Sequence, residues 1–143
     1  MELTAKQRSE IAALAQAHNL KFAVLFGSRA VGENIRGDSD YDIAVFSRRP
    51  ERLFSADLDY YNGILFGLAK IFEAPGDKID LTDLRHADPL LRYEITRVGK
   101  LLVGDELEYE ELKATARRRY LETEDLREVR RALINRRQKL LLA

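Results

Sequence analysis

Apolar positions recur along this chain with a period that changes from segment to segment, and each change marks an element. From Thr4 to His18 they fall at Ile11, Leu14 and Ala15, the spacing of one helix face, with Thr4 placed to cap the start. Phe22-Ala23-Val24-Leu25-Phe26 is a continuous apolar run, too short for a helix and expected to be a strand buried on both faces. Gly27 ends it. Ser28 to Ala30 suits the start of a helical turn, and Gly32 and Gly37 punctuate the connection that follows. Tyr41 to Ser47 reads as a second strand, closed by Arg48-Arg49-Pro50.

A helix is expected over Leu53 to Phe72, with a stripe of Leu53, Leu58, Tyr61, Leu65, Leu68 and Phe72 interrupted by Asn62-Gly63. Ala74-Pro75-Gly76-Asp77 is a turn. Lys78 to Leu84 alternates as a third strand does, with Ile79 and Leu81 on one face and Asp80 and Thr82 on the other. Asp88 followed by Pro89 predicts a helix running to Val98, where Gly99 stops it. Leu101-Leu102-Val103 is a short strand or an ordered link. From Glu106 the chain reads as helix, broken near Glu122-Thr123, with Thr123 placed to cap a final basic helix.

The expected architecture is therefore α/β (α+β), a small mixed sheet flanked by helices. Residues 1–115 form the main domain, and 116–143 form a basic helical tail packed on it or extending from it. No repeat or low-complexity segment is present. The chain's 143 residues suit one domain, and 45% hydrophobic with 34% charged residues is ordinary for a soluble globular protein. No apolar run approaches the roughly 20 residues of a membrane span, and the N-terminus lacks a signal-peptide core. The absence of cysteine excludes disulfides, thiolate zinc sites and a cysteine nucleophile, and fits a cytoplasmic protein.

Charge sharpens the picture of the tail. Between Lys113 and Ala143 stand ten Lys/Arg against four Asp/Glu; of the 24 of each sign in the chain, this leaves 14 against 20 in residues 1–112. The basic tail suits an acidic partner, nucleic acid or simple solvation of a helix face.

Two carboxylates bring chemistry. Asp40 and Asp42 are two residues apart, so on a strand both point to one face. Asp80 interrupts an alternating apolar pattern, where packing alone does not call for an acid. If the second and third strands are neighbours, Asp80 completes a cluster of three. Two unit charges about 4 Å apart cost roughly 4 kcal/mol at an effective dielectric near 20, so such a cluster is hard to explain without a cation. Magnesium prefers oxygen ligands of this kind. Gly27 allows backbone to approach phosphates closely, and Ser28 and the amides of the following turn offer donors. Nucleotidyl transfer demands these parts, because charge builds on the attacking and departing oxygens and two divalent ions about 3.5–4 Å apart can clamp both.

Taken singly, each feature has a plainer reading. Asp-x-Asp is common on exposed strands, a lone Gly-Ser is weaker still, and Asp77 and Asp83 rival Asp80 as the third acid. Asp38 shares the parity of Asp40 and Asp42, but Gly37 puts it in the loop. The joint arrangement is far more specific.

That arrangement resembles the nucleotidyltransferases of the polymerase-beta superfamily, and more narrowly the minimal nucleotidyltransferases (MNT proteins) of prokaryotes. The likeness covers about residues 20–115. It is carried by Gly27-Ser28-Arg29-Ala30-Val31-Gly32, by Ser39-Asp40-Tyr41-Asp42-Ile43-Ala44-Val45 and by Lys78-Ile79-Asp80-Leu81. The stretch Pro89-Leu90-Leu91-Arg92-Tyr93-Glu94-Ile95 to Gly99-Lys100-Leu101-Leu102 resembles MNT antitoxins paired with HEPN toxins. The resemblance implies a polymerase-beta-like fold, ATP as substrate and magnesium, two ions, held by Asp40, Asp42 and Asp80. It also implies that Asp80 helps to deprotonate the attacking hydroxyl, and that AMP passes to a tyrosine of a HEPN ribonuclease toxin, neutralising it within a hetero-oligomer. The alternatives are the same chemistry on an aminoglycoside or a nucleic-acid end, and a non-catalytic antitoxin acting by occlusion.

Other residues invite over-reading. Arg29 is placed to contact phosphate or to pair with a nearby carboxylate. Arg36 reads as loop surface, and His18 and His86 as structural. Tyr60, Tyr61 and Tyr93 fall at helical core spacing. The tail arginines (Arg117, Arg118, Arg119, Arg130, Arg131, Arg136, Arg137) suggest an interaction surface.

Overall fold

The structure, a computed structural model, describes residues 2–32, 39–55 and 57–142. Its elements in chain order are α1 (Ala5–Ala17), β1 (Leu20–Phe26), α2 (Ser28–Val31), β2 (Tyr41–Ser47), α3 (Leu58–Ile71), β3 (Ile79–Asp83), α4 (Pro89–Val98), β4 (Lys100–Val103), α5 (Glu106–Glu122) and α6 (Glu124–Leu142). A 3₁₀ turn, Gly76–Lys78, leads into β3. The sheet is mixed, in the order β3-β2-β1-β4. β1 pairs antiparallel with both β2 and β4, while β3 lies parallel to β2.

Alternation along the strands divides the core between the two sheet faces. Ala23 and Leu25 of β1, Ile43 and Val45 of β2, and Ile79 and Leu81 of β3 pack with Ile11 of α1 and with Ile64 and Leu68 of α3. Phe22, Val24 and Ala44 face the other way, against Ile95 of α4 and Tyr109 of α5. This two-sided burial is why β1 reads as an unbroken apolar run. α1 begins with a capping box, in which the Thr4 hydroxyl accepts from the Gln7 amide and the Gln7 side chain accepts from the Thr4 amide. Asp88 caps α4, and Pro89 takes its first turn as expected.

Two expectations need correction. α3 starts at Leu58, not Leu53, because Asp57 caps it by accepting from the Tyr60 amide. Leu53 is buried as the apolar stripe implied, but its amide donates to Asp83 Oδ2 at 2.9 Å, which holds this segment out of the helix. Thr123 does not use its hydroxyl to cap α6. The hydroxyl donates to the Tyr120 carbonyl (3.1 Å) and accepts from Arg127, so α6 continues after a single-residue break.

The histidines and Tyr60 and Tyr93 have structural partners. Tyr60 donates its hydroxyl to the His18 carbonyl and lies 2.9 Å from Ser47 Oγ, which joins α1, α3 and β2. His18 Nδ1 lies 3.0 Å from the Leu14 carbonyl. The His86 ring sits between Asp83 Oδ2 and the Pro50 carbonyl, 2.9 Å from each. Tyr93 stacks on Tyr120, with ring centroids 4.2 Å apart.

Tyr109 is buried, and its hydroxyl has no hydrogen-bond partner among the described residues. Burial pushes that hydroxyl up to about 12. A buried polar atom without a partner destabilises the fold, so removing it relieves that cost. Tyr109→Phe is therefore expected to leave unfolding free energy unchanged or to raise it by up to about 1 kcal/mol in urea titrations. A loss of that size would mean the hydroxyl is held by an ordered water.

Candidate active site

Parallel pairing of β2 with β3 places Asp42 directly opposite Asp80. Across the other edge of β2, Asp42 pairs with Phe26, the last residue of β1, so the chain enters Gly27 beside the Asp42 carboxylate. Gly27 has φ +73°, and a Cβ placed on it would lie 2.1 Å from Asp42 Oδ2. The carboxylate thus fills the space that a side chain at position 27 would need. Any other residue there would displace it and suffer backbone strain besides. The strand then turns into α2, whose first residue is Ser28 and whose C-cap is Gly32 in the left-handed region.

The three predicted acids influence one another. Asp42 is half-buried, and its carboxyl is held above the ordinary value of 3.8, first by burial, then by the charges of Asp80 and Asp40, with the hydrogen bond that protonated Asp42 donates to Asp80 adding to the rise. Asp40 and Asp80 are more exposed. Asp40 lies 3.9 Å from Lys78 Nζ. Lys78 was not singled out from the sequence as a site residue, yet it stands two residues before Asp80 and shares its strand parity. Tyr61 also borders the cluster. Its hydroxyl is pushed up by burial and then by the charge of Asp80, while its ring packs on Phe54.

Arg29 reaches across the connection to β2. Its Nε and Nη2 donate to the Ser39 carbonyl at 3.0 and 2.8 Å. Its guanidinium lies 3.9 Å from the centre of the Tyr41 ring, which in turn stacks on Phe72. Arg29 thereby pins the residue immediately before Asp40. Arg36, Gly37 and Asp38 lie outside the described residues.

The rival acid Asp83 is occupied structurally. It accepts from the amides of Leu53 and His86 and pairs with the His86 ring at 2.9 Å. It faces backbone donors, whereas Asp80 faces Asp42.

The donor set suits a hard divalent cation. Three carboxylates are present, two of them in register, and the burial and neighbouring charge that raise the Asp42 carboxyl are conditions that a cation would relieve. Among the described residues no three acids yet converge closely enough to hold an ion, since Asp40 leans to Lys78.

Comparisons with known proteins agree with this geometry. The family model for polymerase beta nucleotidyltransferases matches residues 9–108. A toxin–antitoxin complex crystallised with AMP-PNP contains a chain 26% identical to this one; the likeness covers 92% of this chain and 98% of that chain, with a TM-score of 0.65. A chain of the MntA–HepT toxin–antitoxin complex is 23% identical, with 94% and 99% covered and a TM-score of 0.62. A chain of the tri-AMPylated Shewanella oneidensis HEPN toxin in complex with MNT antitoxin is 24% identical, with 93% and 97% covered and a TM-score of 0.61. The last two likenesses bear on the fold alone. No curated protein matches the chain.

The acid cluster has a measurable cost. A carboxyl raised in the folded state binds its proton more tightly there than in the unfolded chain. Its unfavourable contribution is therefore absent well below 3.8, grows as pH rises through the window from 3.8 to the raised folded value, and is full at neutral pH. In metal-free protein at pH 7, Asp42→Asn is expected to raise the thermal midpoint, and the gain should vanish near pH 3. Asp83→Ala should instead lower stability by about 1–3 kcal/mol, because it strands buried amide donors. Thermal and urea unfolding of the two variants across pH would separate these roles; equal destabilisation by both would contradict the division between Asp42 and Asp83.

Proposed function

This chain belongs to the polymerase beta nucleotidyltransferase family, and from that premise we propose that it is a magnesium-dependent protein adenylyltransferase acting as an antitoxin. It would transfer AMP from ATP to a tyrosine of a partner HEPN ribonuclease toxin and so neutralise it. The observation that carries this reading is Asp42 set between Asp80 and the side-chain-free Gly27. The AMP-PNP-bound toxin–antitoxin complex among its structural relatives supports the choice of nucleotide and of partner.

Each residue has a role in this reading. Gly27 leaves room for backbone to approach the triphosphate, and Ser28 offers its hydroxyl as a donor. Asp40, Asp42 and Asp80 would hold magnesium, two ions; when bound, the metal supplies the positive charge that the acids and phosphate oxygens need. Asp80, the more exposed of the paired acids, accepts the proton of the attacking hydroxyl. The phenolic oxygen of the acceptor then forms a bond to the α-phosphorus, and the bond from that phosphorus to the bridging oxygen breaks, releasing pyrophosphate. Arg29 keeps Asp40 in place through Ser39 and stands beside the Gly-Ser turn, where it can also meet phosphate.

The acceptor is assigned to a separate protein on the strength of the likeness to a toxin–antitoxin complex. No helix among the described residues is long and apolar enough to cross a membrane. We place the protein in the cytoplasm, where ATP and a ribonuclease target are available.

The decisive measurement is label transfer from radiolabelled ATP, with magnesium, to a co-expressed HEPN-family protein. Label should appear on a tyrosine of that protein, and Asp40→Asn/Asp42→Asn should reduce it by about 10²–10⁴-fold. Neutralisation that survives in the double variant without any label would establish occlusion instead, and label confined to an aminoglycoside or an RNA end would move the acceptor. Separately, magnesium should raise the thermal midpoint of the wild-type protein at pH 7 and leave that of the double variant unmoved, as read by scanning fluorimetry.

A further inference from the structure

The sheet face that carries the acids also carries a lysine. Across parallel β2 and β3, Tyr41 pairs with Ile79 and Asp42 with Asp80. One residue earlier on each chain the side chains of Asp40 and Lys78 meet, with Lys78 Nζ 3.9 Å from Asp40 Oδ1. A pair of opposite charge therefore stands beside the pair of like charge.

As a device for stability this contact is poor. Both side chains are open to solvent, 37% exposed for Lys78 and 55% for Asp40, and their separation exceeds hydrogen-bond distance. Exposed pairs of this kind add little to folding free energy. An ammonium carries three donors, and among the described residues that of Lys78 makes no hydrogen bond. Its donors are available to an oxygen ligand from outside the chain.

Three strand ends indicate which ligand. Phe26 lies opposite Asp42, so Gly27 and Ser28 leave β1 at the level where Asp40 enters β2. Lys78 stands at the same level, immediately before β3. Across the sheet the order is Gly27-Ser28, Asp40, Lys78, which spans two strand spacings, or about 10 Å. A phosphate held at the Gly27-Ser28 turn thus comes within reach of the four-carbon stem of Lys78. Arg29 approaches from the β1 side, where the Ser39 carbonyl and the Tyr41 ring already hold it. The Tyr41 ring packs on the sheet face opposite Asp40 and Asp42, whereas Lys78 shares the face of the acids.

Charge links the two partners of Lys78. Asp40 exchanges a single positive charge for a double one when it binds a divalent cation, and the ammonium is then repelled. The released ammonium needs an anion, and the triphosphate brings one to the same end of the sheet. On the reading of the site as that of a magnesium-dependent nucleotidyltransferase, we propose that Lys78 binds the triphosphate and is held by Asp40 until that carboxylate binds magnesium.

Lys78→Gln and Lys78→Arg, prepared free of metal and nucleotide, separate this role from a structural one. Binding is read by scanning fluorimetry, first with magnesium alone and then with AMP-PNP at saturating magnesium. Lys78→Gln should bind magnesium about two- to five-fold more tightly than the wild-type chain, because Asp40 loses a competitor. It should bind AMP-PNP about ten-fold more weakly, because the phosphates lose a charged donor. Lys78→Ala should behave as Lys78→Gln does, and Lys78→Arg should keep both affinities within about three-fold of wild type. In turnover, KM for ATP should rise about ten-fold in Lys78→Gln with kcat little changed. A merely structural contact would not move the two affinities in opposite directions. If either change is absent, or both run the same way, while the wild-type chain binds magnesium and AMP-PNP, the role of Lys78 is overturned and the reading of the site stands. A wild-type chain that binds neither overturns that reading and the role of Lys78 with it.

Discussion

Repulsion between carboxylates held face to face is the constraint around which this molecule is arranged. Asp42 and Asp80 occupy paired positions of adjacent parallel strands, with Asp40 close by. Two charges at about 4 Å oppose folding by roughly 4 kcal/mol at an effective dielectric near 20. The surrounding structure offsets this from several directions. Beneath the acids, Ile43, Val45, Ile79 and Leu81 point to the other sheet face and are buried against α3. Lys78 lends positive charge to Asp40, and Gly27 leaves the volume into which the Asp42 carboxylate fits. A hydrophobic layer thus holds the acids in register, while the groups around them limit the strain.

The same sheet sorts its acids by partner. Asp57, Asp88 and Asp105 each accept a backbone amide at a helix start, where the exposed N–H groups and the dipole favour negative charge. Asp83 gathers two amides and an imidazole, tying the segment before α3 to the end of β3. These carboxylates are satisfied by donors. Asp42 and Asp80 have each other, paired across adjacent strands.

Much of this was legible in the sequence because it is local. A capping threonine before a periodic run, a proline after a capping aspartate and strict alternation around Asp80 define α1, α4 and β3 with little help from the rest of the chain. The parity of Asp40, Asp42 and Asp80 follows from a repeat of two, although their meeting depends on strand order, which no local pattern reveals. The misplaced start of α3 has a physical cause: Leu53 is apolar and buried at a helical interval, and only the distant Asp83 decides that its amide bonds elsewhere. Thr123 misled similarly, since its hydroxyl serves Tyr120 and Arg127 across the junction. Lys78 carried a usable signal, its parity with Asp80, but a lysine at a strand edge ordinarily needs no explanation.

The Arg29 contact with the Ser39 carbonyl has a topological consequence. Residue 29 lies on α2 and residue 39 enters β2, so one guanidinium closes the intervening segment like a clasp at its neck. The position of Asp40 is then set by the clasp and by the strand, and not by the length of chain strung between them. Loop closure entropy changes only slowly with length. Changes in the length of chain between positions 29 and 39 therefore leave the carboxylates where the sheet holds them.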